Sequence, residues 1–236
     1  MDQKTIAERI AAGLGMDVPV IGLTFVDSPP AGVPQYAQQV PAACGFWRPA
    51  ETSVFYASAE QHFNCPIGAM TMGFEMPEEV QQQLMGAVEM MCEAGYISPD
   101  EPAKIPTTGR KAAGIVYGPL AQLPIEPDLI LLWLTPRQAM FYSEAVGTSR
   151  WTTADPATVW GRPACAALPS AMTNGRSALS FGCTGMRTFT GVREDRLLAA
   201  LPGGQAGELA DALDAVKQAN TTMLVYYEER KAAFSA

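Results

Sequence analysis

Leu129-Ile130-Leu131-Leu132-Trp133-Leu134 is an unbroken apolar run, and Thr135-Pro136-Arg137-Gln138 follows it directly. Six apolar residues without alternation suit a central strand covered on both faces, because a strand with one wet face would alternate. The next residues change the period. Thr135 is a helix cap and Pro136 suits a first helical position, so a helix is expected from there to about Val146. A doubly covered strand running straight into a capped helix implies a sheet with helices packed against it.

Working outward, residues 112–117 form a second continuous apolar run and a second expected central strand. Residues 18–26 read as another strand, with Pro19 at its start or on an edge. Residues 52–58 are β-like through Val54, Phe55 and Tyr56, and residues 177–182, 187–191 and 196–201 are further expected strands.

The expected helices cover residues 2–14, 77–94, 164–172 and 206–231. In the first, Ile6, Ile10 and Leu14 keep helical spacing and Gly13 and Gly15 close it. In the second, Pro77 lies in the first turn, Gly95 stops the helix, and Val80, Leu84, Ala87, Val88 and Met91 make a buried stripe. Pro169 interrupts or kinks the third. Helices and strands intermix without regular alternation, which gives an α+β class: one domain over residues 1–236, with a mixed sheet, flanking helices and a long C-terminal helix.

Of 236 residues, 48% are apolar and 17% charged, which describes a folded chain. The net charge of −8 argues against nucleic-acid binding, which needs a basic face. No apolar run reaches membrane-spanning length, and the charged N-terminus lacks the apolar core of a secretory signal. A cytoplasmic protein is expected, with its five cysteines as reduced thiols.

Four of those cysteines sit among small and turn-forming residues: Cys44 in Ala-Ala-Cys-Gly, Cys65 in Asn-Cys-Pro-Ile-Gly, Cys165 in Pro-Ala-Cys-Ala-Ala, and Cys183 in Gly-Cys-Thr-Gly-Met-Arg. Cys65 and Cys165 fall at expected helix starts and Arg187 lies close to Cys183, so three of the four contexts favour ionised sulfur. Gly68 and Gly185 lower the barrier to a cofactor or another backbone. Cys92 lies in a helical run and is assigned to packing, the commonest fate of a free cysteine. No CxxC pair occurs, so any metal site must form by convergence of separate loops, and thiolate softness then selects iron–sulfur, zinc or Cu(I).

His62 is the only histidine, three residues before Cys65. That excludes zinc enzymes needing several histidines and leaves His62 as the one imidazole base. Met70 and Met72 are either core residues or haem ligands. Trp151, Trp160 and Arg162 line a pocket, or form a lid or core. A faint echo links the run before Asn64-Cys65-Pro66 with the run before Pro163-Ala164-Cys165.

These segments together resemble a known family. Pro19-Val20-Ile21-Gly22-Leu23, Ala43-Cys44, Asn64-Cys65-Pro66-Ile67-Gly68, Val116-Tyr117-Gly118-Pro119-Leu120, Pro127-Asp128-Leu129-Ile130-Leu131, Cys165-Ala166-Ala167 and Gly182-Cys183-Thr184-Gly185-Met186-Arg187 occur in the order seen in the DUF169 family, a prokaryotic group of unknown function. The resemblance spans most of the chain. It implies a shared set of cysteines at positions 44, 65, 165 and 183, with no counterpart for Cys92. It departs at Met70 and Met72, where similar sequences carry histidines, and this weakens any metal carried over.

Three functions are expected. In the first, Cys44, Cys65, Cys165 and Cys183 hold an iron–sulfur cluster, with His62, Gly68, Met70, Met72, Gly185 and Arg187 around it. Its variant is haem with His62, Cys65, Met70 or Met72 as axial ligands. In the second, a metal-free enzyme uses Cys65 or Cys183 as nucleophile, His62 as base and Arg187 for an anionic group. In the third, a small-molecule binding protein merely packs its cysteines. The expected partner is a small-molecule cofactor or substrate, and the long last helix packs either on its own domain or on a second copy of the chain.

Overall fold

The computed structural model describes residues 1–148 and 158–234. Its centre is the apolar run read above. β4 (Leu129–Leu134) is fully buried and is the fourth strand of a seven-stranded sheet ordered β2-β3-β1-β4-β7-β6-β5. The other strands are β1 (Ile21–Val26), β2 (Phe55–Ser58), β3 (Gly114–Pro119), β5 (Thr158–Trp160), β6 (Ala178–Ser180) and β7 (Leu197–Pro202). β5 and β6 pair in parallel and the remaining neighbours are antiparallel, so the sheet is mixed and the class α+β.

Alternate residues of β4 serve two cores. Ile130, Leu132 and Leu134 meet α1 (Gln3–Leu14), α5 (Pro136–Ala145) and α8 (Ala206–Ala233), through Ile10, Tyr142 and Leu213 among others. Leu129, Leu131 and Trp133 face the opposite layer, where Phe46, Trp47, Met72, Leu168 and Met186 are buried. That layer holds α3 (Pro66–Thr71), α6 (Ala167–Asn174), α7 (Thr184–Thr190) and the 3-10 turns Ala43–Phe46 and Ala164–Ala166. Every cysteine singled out by its context lies on this side. The short α2 (Ala59–His62) and the outlying α4 (Glu78–Glu93) complete the helices among the described residues.

Local chemistry sets the element ends. Thr135 accepts from Gln138 N while the Gln138 side chain bonds the Thr135 N–H, a reciprocal cap that starts α5 at the expected point. Asp2 caps α1, and Gly15 ends it at φ 64°. Pro77 is the cap of α4, one position earlier than expected.

Three expectations are corrected. The expected strand at residues 187–191 is α7: Cys183 caps it, Gly191 ends it at φ 59°, and the Thr188 and Thr190 hydroxyls donate to carbonyls one turn back. Threonine and phenylalanine favour strands in isolation, but the caps decide here. Pro169 does not kink its helix, since it lies in the first turn of α6, where an N–H has no partner to lose. In α4 only Val80 is buried: Leu84, Ala87, Val88 and Met91 are half-covered, and Val88 and Met91 line a cavity. Trp151 lies outside the described residues.

Candidate functional site

Cys44 sits in the 3-10 turn Ala43–Phe46 and Cys165 in the 3-10 turn Ala164–Ala166, both buried. Cys65 is the cap of α3, its sulfur accepting from Gly68 N at 3.4 Å. Cys183 is the cap of α7, its sulfur accepting from Met186 N at 3.4 Å. The same pair of devices therefore occurs twice along the chain, a cysteine in a 3-10 turn followed by a cysteine capping a short helix. The true correspondence is Cys44 with Cys165 and Cys65 with Cys183, which corrects the expected echo between Cys65 and Cys165. The halves interlock, since α7 packs on the Cys44 turn and α3 on both the Cys165 turn and the Cys44 turn.

All four cysteines line one cavity of roughly 200 Å³. Cys92, half-buried on α4, does not. Gly68 and Gly185 line the cavity as well. A Cβ on Gly68 would stand 2.5 Å from Ala43 Cβ and 3.2 Å from Cys65 Sγ, so this glycine lets α3 close onto the Cys44 turn. At Gly185 the nearest neighbour, Phe189, would be 3.6 Å away, which is ordinary contact.

The roof of the cavity comes from an excursion between two glycines of positive φ, Gly73 at 77° and Gly109 at 63°. Its ends are tied where they meet: Thr108 N donates to Thr71 O at 3.1 Å, and Thr108 Oγ1 donates to Met72 O at 2.7 Å. Val88, Met91, Tyr96, Ile97, Pro102 and Ile105 bring apolar surface over the sulfurs. Sequence reasoning missed this roof because half of an amphipathic stripe facing a cavity looks like one facing a core. Two charged residues reach the lining. Glu101 accepts from Ser98 N and Oγ, and the Arg162 guanidinium stacks over Tyr96 at 4.4 Å from the ring centre.

Thr71 was also missed. It is fully buried at the end of α3, and its hydroxyl lies 2.8 Å from Gly68 O and 3.4 Å from Cys165 Sγ. Its place six residues after Cys65 was the only signal.

Burial pushes the Cys44 thiol up, and the sulfurs of Cys165, Cys65 and Cys183 push it further. Burial likewise raises Cys165 to about 12, aided by Cys65 and Cys183 and opposed by the Thr71 hydroxyl. The expectation of ionised sulfur at Cys165 is therefore reversed in the metal-free chain. The backbone donors of a 3-10 turn do not offset removal from water.

His62 is corrected too. It is fully buried, away from the cavity, between Phe46 and Phe74 at ring distances of 4.7 and 4.8 Å. Nδ1 stands 2.7 Å from Ser58 O, so it must donate there, and the Tyr117 hydroxyl donates to Nε2 at 2.9 Å. Desolvation lowers its pKa to about 4. Both nitrogens are committed, so His62 is neither a base for Cys65 nor an axial ligand.

Met70 lines the cavity, whereas Met72 is fully buried in the core. Arg187 does not line the cavity. Its guanidinium donates to the carbonyls of Phe181, Arg193, Glu194 and Arg196, so it ties together the segments before and after α7. Trp160 is also outside the lining.

Among the described residues, no group of three or more Cys, His, Asp or Glu side chains is gathered to hold a metal ion. The sulfurs surround a space rather than converge on a point. No helix among the described residues is long and apolar enough to cross a membrane.

The comparisons with known proteins bear on this same stretch of chain. The uncharacterized protein MJ0308 of Methanocaldococcus jannaschii is 24% identical over 175 residues, covering 71% of this chain and 73% of that one. No solved structure matches the chain. The family model of DUF169, described as uncharacterised ArCR, matches residues 9–212, a span that includes all four cavity cysteines. The chain belongs to the DUF169 family.

Proposed function

We propose that the cavity binds an iron–sulfur cluster through Cys44, Cys65, Cys165 and Cys183, and that the protein is a redox or cluster-carrying protein of a reducing compartment. The observation that carries this reading is the convergence of four thiols from four separate segments on one apolar cavity. Two of the four sulfurs also receive a backbone hydrogen bond, from Gly68 N and Met186 N, and the Thr71 hydroxyl lies 3.4 Å from the sulfur of Cys165. Such donors are the ordinary surroundings of cluster thiolates and tune their potential.

A single tetrahedral ion would hold its sulfurs less than about 4 Å apart. A cluster spreads its ligands over several metal atoms, so it suits thiols that ring a space. Binding takes the ligands as thiolates, with release of their protons. The apolar roof keeps water away, and the glycine at position 68 brings the Cys44 and Cys65 turns together. Haem is the weaker variant, since of its four axial candidates only Cys65 and Met70 line the cavity.

Anaerobic reconstitution of the full chain with iron and sulfide tests the reading. Broad visible absorption with matched iron and labile sulfide is expected. A colourless, iron-free protein would sink it, and a Soret band after incubation with haem would move the reading to the variant.

Metal-free thiol chemistry at Cys65 or Cys183 is the second reading, favoured by the backbone N–H that each sulfur accepts. It has lost the base expected for it. One thiol alkylated far faster than the others near neutral pH would support it.

A further inference from the structure

We propose that the second half of α8 is a dimerisation arm whose partner is the same helix of a second copy, running antiparallel. α8 has 28 residues, and its last buried one is Leu213. Lys217 still reaches Ala12 O, and Asn220 donates to Glu144 on α5. Beyond that point residues 221–234 are all exposed, a projection of about 20 Å of helix.

The projection is not built to stand alone. Met223, Leu224, Val225, Tyr226 and Tyr227 are 42–58% exposed and, being consecutive, surround the helix with apolar surface. Thr221, Thr222, Val225, Tyr226 and Tyr227 are middling helix formers, and a helix this short is marginal in water without packing. Exposed apolar surface of this kind marks an interaction site.

A groove of roughly 790 Å³ runs beside the arm, lined by Leu14, Met140 and Phe141 and by Met223, Leu224 and Tyr227 of the arm itself. The stripe at positions 213, 217, 220, 224, 227 and 231 follows the alternating three-and-four spacing of a helix–helix seam. An antiparallel pair centred between Thr222 and Met223 sets Lys217 of one copy opposite Glu228 of the other, and the two-fold axis repeats that contact. The same register sets Lys231 opposite Asp214. A parallel pair in register would instead set like charge against like at every one of these positions. Charge complementarity therefore selects a second copy and its direction.

Light scattering coupled to size exclusion on the full chain tests this, over a range of concentrations and two salt strengths. The expected mass is twice 25.2 kDa. The double variant L224E/Y227E should run as a monomer that is still folded, losing only the helical ellipticity of the arm. K217E and E228K should each loosen the dimer, and K217E/E228K together should restore it. A wild-type monomer at every concentration overturns the proposal, as does a dimer that ignores L224E/Y227E or a double charge swap that fails to rescue.

Discussion

The Thr71 hydroxyl lies 3.4 Å from Cys165 Sγ across 94 positions of sequence, joining the helix that Cys65 caps to the turn that carries Cys165. The backbone carbonyl of Thr71 also accepts from Thr108, at the base of the roof. One buried residue thus links both halves of the sulfur site, through its side chain, to the cover, through its backbone.

Thr71→Val keeps the shape and removes the hydroxyl, whose single hydrogen turns from Gly68 O to the Cys165 sulfur once that sulfur is a thiolate. Hydrogen bonds to cluster sulfur favour the reduced, more negative state, so the reconstituted variant should have a lower midpoint potential than wild type, with a stability cost of about 1 kcal/mol. Thr71→Ser should recover the potential. Potentials equal in all three proteins would show that this hydroxyl does not tune the site.

Gly68→Ala places a methyl 2.5 Å from Ala43 Cβ, where both partners are on packed backbone. The expected loss is about 1–3 kcal/mol in denaturant unfolding, with weaker cluster retention because the Cys44 and Cys65 turns are forced apart. Gly185→Ala, with its nearest contact at 3.6 Å, is the packing control and should unfold no earlier than wild type.

His62 makes stability depend on pH. Its folded pKa of about 4 is below the unfolded 6.5, so the unfolded chain binds the extra proton between these values. This contribution is complete above pH 6.5 and is lost as pH falls toward 4, by about 3 kcal/mol in total. Unfolding free energies of wild type and His62→Gln from pH 7 to 4 should converge in slope outside that window and differ within it. Identical slopes throughout would mean that His62 is solvated.

Thiol labelling of the metal-free chain should follow burial. Cys65, Cys92 and Cys183 are half-buried and should react before Cys44 and Cys165, which are buried. Mass spectrometry of a time course reads the order directly. Arg162→Ala removes the stack on Tyr96 at the cavity mouth and should speed labelling of Cys65 and Cys183 but not of Cys92.

Much of the fold was legible because its decisive segments carry their own signals. β4 is apolar on both faces and is covered on both, and α5 begins at Thr135-Pro136, whose cap is completed three residues on by Gln138. α7 was misread because its Thr-Phe-Thr composition favours a strand, while the Cys183 cap and the Gly191 stop that decide it are single residues. The gathering of the cysteines could be anticipated from their glycine and proline contexts. His62 could not be read, because Ser58, Tyr117, Phe46 and Phe74 are brought around it only by folding. Nor could the roof or Thr71, whose roles depend on a cavity that no local pattern encodes.

The most direct test is a serine scan of the five cysteines in anaerobically reconstituted full-length protein, read by iron content and visible absorption. Cys44→Ser, Cys65→Ser, Cys165→Ser and Cys183→Ser should each lose or alter the cluster signal while Cys92→Ser keeps it whole. A signal that survives all four substitutions, or that Cys92→Ser removes as fully as the others, would contradict a cluster held in this cavity.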